Sequence, residues 1–254
     1  MINCLDERNP LVLEWIENTA SSVAYIRRAC DVLHGREAPA DIRSSPAEQV
    51  CRIHRLLFGQ VYDWAGEYRE CEIEIRGQSH IGMQDVESYM EDLEAGVAPS
   101  AGKSRAAAGL CRFCQELNNI HPFVNGNGRT QMLACVELAK AAGYDLFVFP
   151  DDIAEFDKAR GAMYAGQPDV LSLWLEDRLF ARDDPSELHM ALLRGAEAEL
   201  ARADKISMDL VLSPKAECEM LGDADYLRRR ATGRAKPSVF SAIMKEHDDV
   251  ELGF

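Results

Sequence analysis

The sequence predicts an all-α fold with one β-hairpin set into it. Three observations carry that expectation. Apolar residues recur at spacings of three and four through most of the 254 positions. One segment, residues 71–81, switches to a period of two. Proline, glycine and small polar residues stand where these periodic runs begin and end.

The first helix is expected over 11–33, where Leu13, Ile16, Ala20, Val23 and Ile26 share a face. Residues 35–46 (GREAPADIRSSP) form a loop, and Ser45-Pro46 with Glu48 reads as a helix start with proline at its first position. Val50, Ile53, His54, Leu57 and Val61 then make one stripe, on which His54 is a core histidine. Cys71, Ile73 and Ile75 alternate with charged residues, Gly77-Gln78 turns, and Ser79–Ile81 returns. Such a hairpin is marginal alone and must lean on helices. Helical spacing resumes at 84–95 and at 104–119, where Leu110, Phe113, Cys114 and Leu117 share a face. Met132, Cys135, Val136 and Ala139 begin another helix that ends at Lys140 and Gly143. Two more follow at 151–164 and 168–180, and a further run covers 186–203. Three segments result: an N-terminal helical segment (1–44), a core (45–180) and a C-terminal helical accessory region (181–254).

Charge and composition narrow the function classes. With 28 Lys and Arg against 43 Asp and Glu, the net charge is −15. That surface repels nucleic acid and anionic membranes, so neither is expected as a partner. No run of 18 apolar residues and no basic-then-apolar leader is present in the sequence. Most of the eight cysteines lie in amphipathic helical patterns, as small core residues of a reduced, cytoplasmic protein do. Cys111 and Cys114 form one CxxC, two ligands short of a structural zinc site.

The chemistry concentrates in residues 121–129, His-Pro-Phe-Val-Asn-Gly-Asn-Gly-Arg, between two apolar-faced helices. Gly126 and Gly128 permit positive φ, so that successive N–H groups converge on one concave space. The next helix adds its N-terminal N–H groups and positive dipole end, and Arg129 adds a forked cation. His121 offers an imidazole as proton acceptor, and Asn125 a carbonyl oxygen for a hard cation. Together these suit phosphoryl or nucleotidyl transfer. A plain glycine-rich connection, with His121 bonded to a backbone carbonyl, is the alternative for the same residues.

HPFVNGNGRT resembles the signature of Fic domains, His-x-Phe-x-(Asp/Glu)-Gly-Asn-Gly-Arg-x-x-Arg. IHRLLFGQVYDWAGEYR (53–69) and AAGYDLFVF (141–149) resemble the same family in the right order. The resemblance implies a Fic-type helical bundle with a β-hairpin flap. It implies a protein adenylyltransferase that moves AMP from ATP, with Mg²⁺, to a Ser, Thr or Tyr hydroxyl of a target protein. In that reading His121 is the general base, Phe123 anchors the loop and Asn125 takes the metal position. Gly126, Asn127, Gly128 and Arg129 cradle the phosphates. Ile73, Ile75, Arg76, Gly77 and His80 belong to the flap that holds the target.

Two positions depart from the signature. Asn125 replaces the acidic ligand, so a metal gains no charge there. Met132 replaces the second arginine, which in the family helps hold the terminal phosphate. These departures keep two alternatives open. One is a Fic-type transferase with another donor, moving UMP, phosphate or phosphocholine. The other is a catalytically attenuated nucleotide-binding or protein-interaction module. The family's inhibitory pattern, Ser/Thr-x-x-x-Glu-Gly/Asn, finds no full match: Ser44…Glu48 and Ser213…Glu217 are followed by Gln49 and Cys218. Restraint is then expected from a separate antitoxin-like protein or not at all. The address is cytoplasmic, or a host cell into which the protein is delivered.

Overall fold

The computed structural model describes residues 3–75, 78–97, 102–167 and 169–212. The fold is helical. Its centre is a helix, α5 (Asn127–Ala141), whose residues 130–140 are all buried. It packs against α1 (Pro10–Leu33), α2 (Pro46–Phe58) and α4 (Lys103–Ile120). A helix enclosed on all sides loses stability for each polar group it leaves unpaired. Glu137 does so by accepting from Arg28 Nε at 2.6 Å and from the Ala40 N–H at 2.7 Å. Lys140 donates to the Leu33 carbonyl and to Asp145 Oδ1, both at 2.7 Å.

Local signals start the outer helices. Asn9 caps α1 by accepting from the Leu11 N–H at 3.1 Å, with Pro10 in the first turn. At α2 the Ser45 side chain makes no capping bond, so Pro46 alone marks the start. The run at 84–95 yields less than the sequence suggests: one 3₁₀ turn and the short α3 (Val86–Glu91).

The hairpin is present but smaller than expected. β1 (Glu74–Ile75) pairs antiparallel with β2 (Gln78–Ser79), in register Glu74↔Ser79 and Ile75↔Gln78. Cys71 stays exposed and Ile73 half-buried, so no covered face rewards a longer ladder. The expectations placed on the Ile75 side chain, on Arg76 and Gly77, and on Ser213…Glu217 lie outside what is described.

A second two-stranded ladder corrects the expectation of a single hairpin. β3 (Tyr144–Leu146) pairs antiparallel with β4 (Leu179–Ala181). Between them lie α6 (Ile153–Tyr164) and α7 (Asp169–Asp177). The apolar runs around 146 and 179 are too short for periodicity to separate strand from helix end. The helix expected to reach 180 therefore stops at Asp177.

α8 (Glu187–Ala203) packs along α1, and the short α9 (Met208–Val211) follows. His189 joins α8 to the centre: Nε2 lies 3.0 Å from Asp145 Oδ2 and Nδ1 2.9 Å from the Asp184 carbonyl oxygen. A buried Lys140–Asp145–His189 chain thus links α5, β3 and α8.

Candidate active site

His121 ends α4. Its backbone is left-handed (φ 50°), and its N–H still bonds the Leu117 carbonyl. A non-glycine residue in this region is strained unless its surroundings hold it. Arg69 supplies the hold. Its buried guanidinium donates to the carbonyls of His121 (2.9 Å), Ile120 (3.3 Å), Cys71 (2.8 Å) and Ile81. One cation therefore satisfies the C-terminal carbonyls of α4 and both ends of the flap. The imidazole of His121 is half-buried, and burial lowers its pKa to about 3, with His80, Arg160 and Arg69 adding in the same direction. It is neutral at pH 7, as a proton acceptor must be. The ring of His80, at the flap's end, lies 4.5 Å from it.

Phe123 is fully buried and stacks on His54, with ring centroids 3.9 Å apart. His54 is a satisfied core histidine, and it also shapes the loop. The Gly66 N–H donates to Nδ1 at 2.8 Å, so Nε2 carries the proton and donates to the Asn125 carbonyl at 2.9 Å. Burial lowers its pKa to about 4. The Asn127 side chain clamps Phe123 from both sides, donating to its carbonyl (2.7 Å) and accepting from its N–H (3.1 Å). What Asn127 offers an anion is therefore its backbone N–H. Positive φ is needed at Gly126 (80°) but not at Gly128, which corrects the expectation for the second glycine. Gly128 sits in the first turn of α5, where a Cβ would lie 3.3 Å from Ile153 Cδ1 and 3.6 Å from an Arg160 nitrogen. Its missing side chain keeps α6 close to the N–H groups that α5 leaves without helical partners.

Arg129 does not stand free. It donates to Glu17 and Ser21 of α1 and lies over the Phe58 ring, 4.8 Å from its centroid. Glu17, only 5% exposed, also accepts from Tyr62 Oη at 2.5 Å and from Asn125 Nδ2 at 2.6 Å. A glutamate thus pairs with the loop's remaining arginine, Arg129, although Met132 removes the second one. It was illegible because it meets Arg129 rather than position 132, and because Leu13 stands where the inhibitory pattern has Ser or Thr; Glu17-Asn18 keeps the rest. Met132 is 1% exposed and packs in the core.

The same contacts test the fit of Mg²⁺. Asn125 Oδ1 accepts from the Gly126 N–H at 2.8 Å while its amide donates to Glu17. Among the described residues no group of three acidic, His or Cys side chains converges. These donors do not fit a metal held by protein side chains.

The loop, the flap end and α6 enclose a cavity of about 510 Å³, lined among others by His80, His121, Gly128, Arg129 and Arg160. Arg160 is the residue that sequence reasoning missed on this wall. Its signal is a charge inside the apolar stripe Phe156, Ala159, Met163, just as Glu17 interrupts Leu13, Ile16, Ala20.

The model of the Fic/DOC family matches residues 44–139. The protein adenylyltransferase VbhT of Bartonella schoenbuchensis is 30% identical over 186 residues, covering 70% of this chain and 37% of VbhT. A Salmonella typhimurium protein named "Probable protein adenylyltransferase Fic" is 34% identical over 103 residues, 38% of this chain and 51% of that one. The chain therefore spans about half or less of these relatives. A solved structure of BepC, a VirB-translocated effector of Bartonella tribocorum with bound AMPPNP, superposes with a TM-score of 0.57 at 18% identity. It covers 71% of this chain and 92% of that one, a likeness of fold.

Proposed function

Because residues 44–139 are a Fic/DOC-family segment, we propose that this chain is a protein adenylyltransferase that transfers AMP from ATP to a Ser, Thr or Tyr hydroxyl of a target protein. The observation that carries the reading is a neutral His121 facing one cavity with the N-terminus of α5. The names of the relatives support the reaction class, and the AMPPNP on BepC supports a nucleoside triphosphate as donor.

His121 Nδ1 is sealed in the interior, which leaves Nε2 to take the proton of the target hydroxyl. That oxygen attacks the α-phosphorus, a new P–O bond forms, and the bond to the pyrophosphate oxygen breaks. The first-turn N–H groups of α5 stabilise the charge that builds on the phosphates, and the Arg129 guanidinium adds to them to the extent that Glu17 releases it. The donor's negative charge also raises the basicity of His121 toward a useful range. The flap residues Ile73 and His80 border the approach of the target segment, which adds to the hairpin as a strand. The three-segment division and a host-cell address, as for the VirB-translocated BepC, belong to this same reading.

Intact-mass analysis of a lysate incubated with the protein, Mg²⁺ and ATP tests it. An AMP-sized addition that disappears with His121→Ala, while the variant keeps its melting temperature, is the expected result. Equal labelling by that variant refutes the role of His121. Labelling from UTP or a phosphocholine donor instead favours the rival donor, for which the neutral Asn125 and the buried Met132 are the supporting observations.

A further inference from the structure

We propose that Arg160, on α6 and outside the glycine-rich loop, is the cation that binds the donor's phosphates in this protein. The inference rests on the transferase reading and names the residue that serves it.

Electrostatic bookkeeping within the cavity leads there. Met132 is sealed in the core and has no donor to offer. The charge of Arg129 is largely offset by Glu17 of α1. Arg160 is the other arginine on the cavity wall. It stands against the first turn of α5, with one guanidinium nitrogen 3.6 Å from where a Gly128 Cβ would be. An anion drawn to the free N–H groups of that turn meets the guanidinium on the same side.

The guanidinium is held ready. Nη1 donates to two neutral oxygens, Asn118 Oδ1 (2.8 Å) and Gln131 Oε1 (2.6 Å), and its carbon lies 5.0 Å from the Phe156 ring centroid. These contacts fix its plane without cancelling its charge. Nη2 donates to Asp157, whose side chain is one third exposed and so competes weakly with a phosphate. Of the five N–H groups three are used, and Nε–H is buried with no acceptor. The unused Nη2 N–H, together with the one that Asp157 yields, gives a phosphate two charge-assisted bonds. Its place is also right for the reaction: Asn118 holds Arg160 through its side chain and the His80 ring through its carbonyl, and His80 lies against His121.

Titration calorimetry of the full chain with ATP, inorganic pyrophosphate and adenosine tests the assignment. Arg160→Ala is expected to weaken ATP and pyrophosphate by about 10- to 100-fold, as loss of a charge-assisted bond should, and to leave adenosine unchanged. Asp157→Asn removes the competitor and is expected to tighten ATP and pyrophosphate several-fold. A residue that only braces the fold predicts no such gain. If Arg160→Ala melts early, Arg160→Lys and Asp157→Asn still decide: the lysine keeps part of the pyrophosphate affinity and the asparagine raises it. Unchanged pyrophosphate binding in Arg160→Ala, or equal losses for ATP and adenosine, overturns the assignment. A wild-type protein that binds pyrophosphate through Arg160 but labels no protein from any nucleotide refutes the transferase reading alone.

Discussion

His54→Phe isolates what a buried histidine contributes to the loop. The larger ring stays aromatic and can keep its stack on Phe123, while both hydrogen bonds vanish. The Gly66 N–H is left buried without its acceptor, and the Asn125 carbonyl, partly accessible, loses its donor. A buried orphan costs about 1–3 kcal/mol and a half-exposed one less, so about 2–4 kcal/mol at pH 7 is expected. At about 3 °C per kcal/mol for a chain of this size, the melting temperature falls by about 6–12 °C. The pH dependence gives a second check. His54 has its pKa lowered from 6.5 to about 4, so between those values the unfolded chain binds the proton and the native one does not. Stability from this group is complete above pH 6.5 and is lost as the pH falls toward 4, by about 1.4 kcal/mol per pH unit. By pH 5 the wild type has lost about 2 kcal/mol that the phenylalanine variant has not. Urea unfolding at pH 7 and pH 5 reads both numbers. A gap between wild type and variant that stays constant or widens on acidification refutes the assigned tautomer and the burial argument together.

Three sites and one change of pH give further expectations. Gly126→Ala places a side chain at φ 80° and a Cβ 2.5 Å from Phe58 Cζ; about 2–5 kcal/mol is expected by denaturant unfolding. Lys140→Met leaves Asp145 buried with only His189 and costs about 3–5 kcal/mol, and adding Asp145→Asn costs less than the sum of the single changes. Glu17→Gln frees the charge of Arg129, so ATP affinity rises in calorimetry while the melting temperature drops; unchanged affinity means Arg129 does not meet the donor. Acidification from pH 7 to 5 lowers the melting temperature of the wild type, because His54 and His121 both resist protonation when folded. Asp152, pushed up to about 6 by burial, offsets part of that loss.

The helical class, the helix start at Pro46, the hairpin and the chemistry of 121–129 were legible in the sequence, because each depends on residues near one another in the chain. Periodicity reports a buried face, proline and glycine report backbone geometry, and HPFVNGNGR reports a loop built on His121, Phe123 and Gly126. Tertiary structure alone decided how the charges pair. Glu17 lies over a hundred residues from Arg129, Arg69 over fifty from His121, and Arg160 about thirty from Gly128 and Gln131, yet each meets its partner in the interior. The sequence shows only that a charge interrupts an apolar stripe. Which buried partner repays its desolvation depends on the packing of α1 and α6 against α5, and that packing is fixed by the whole core at once.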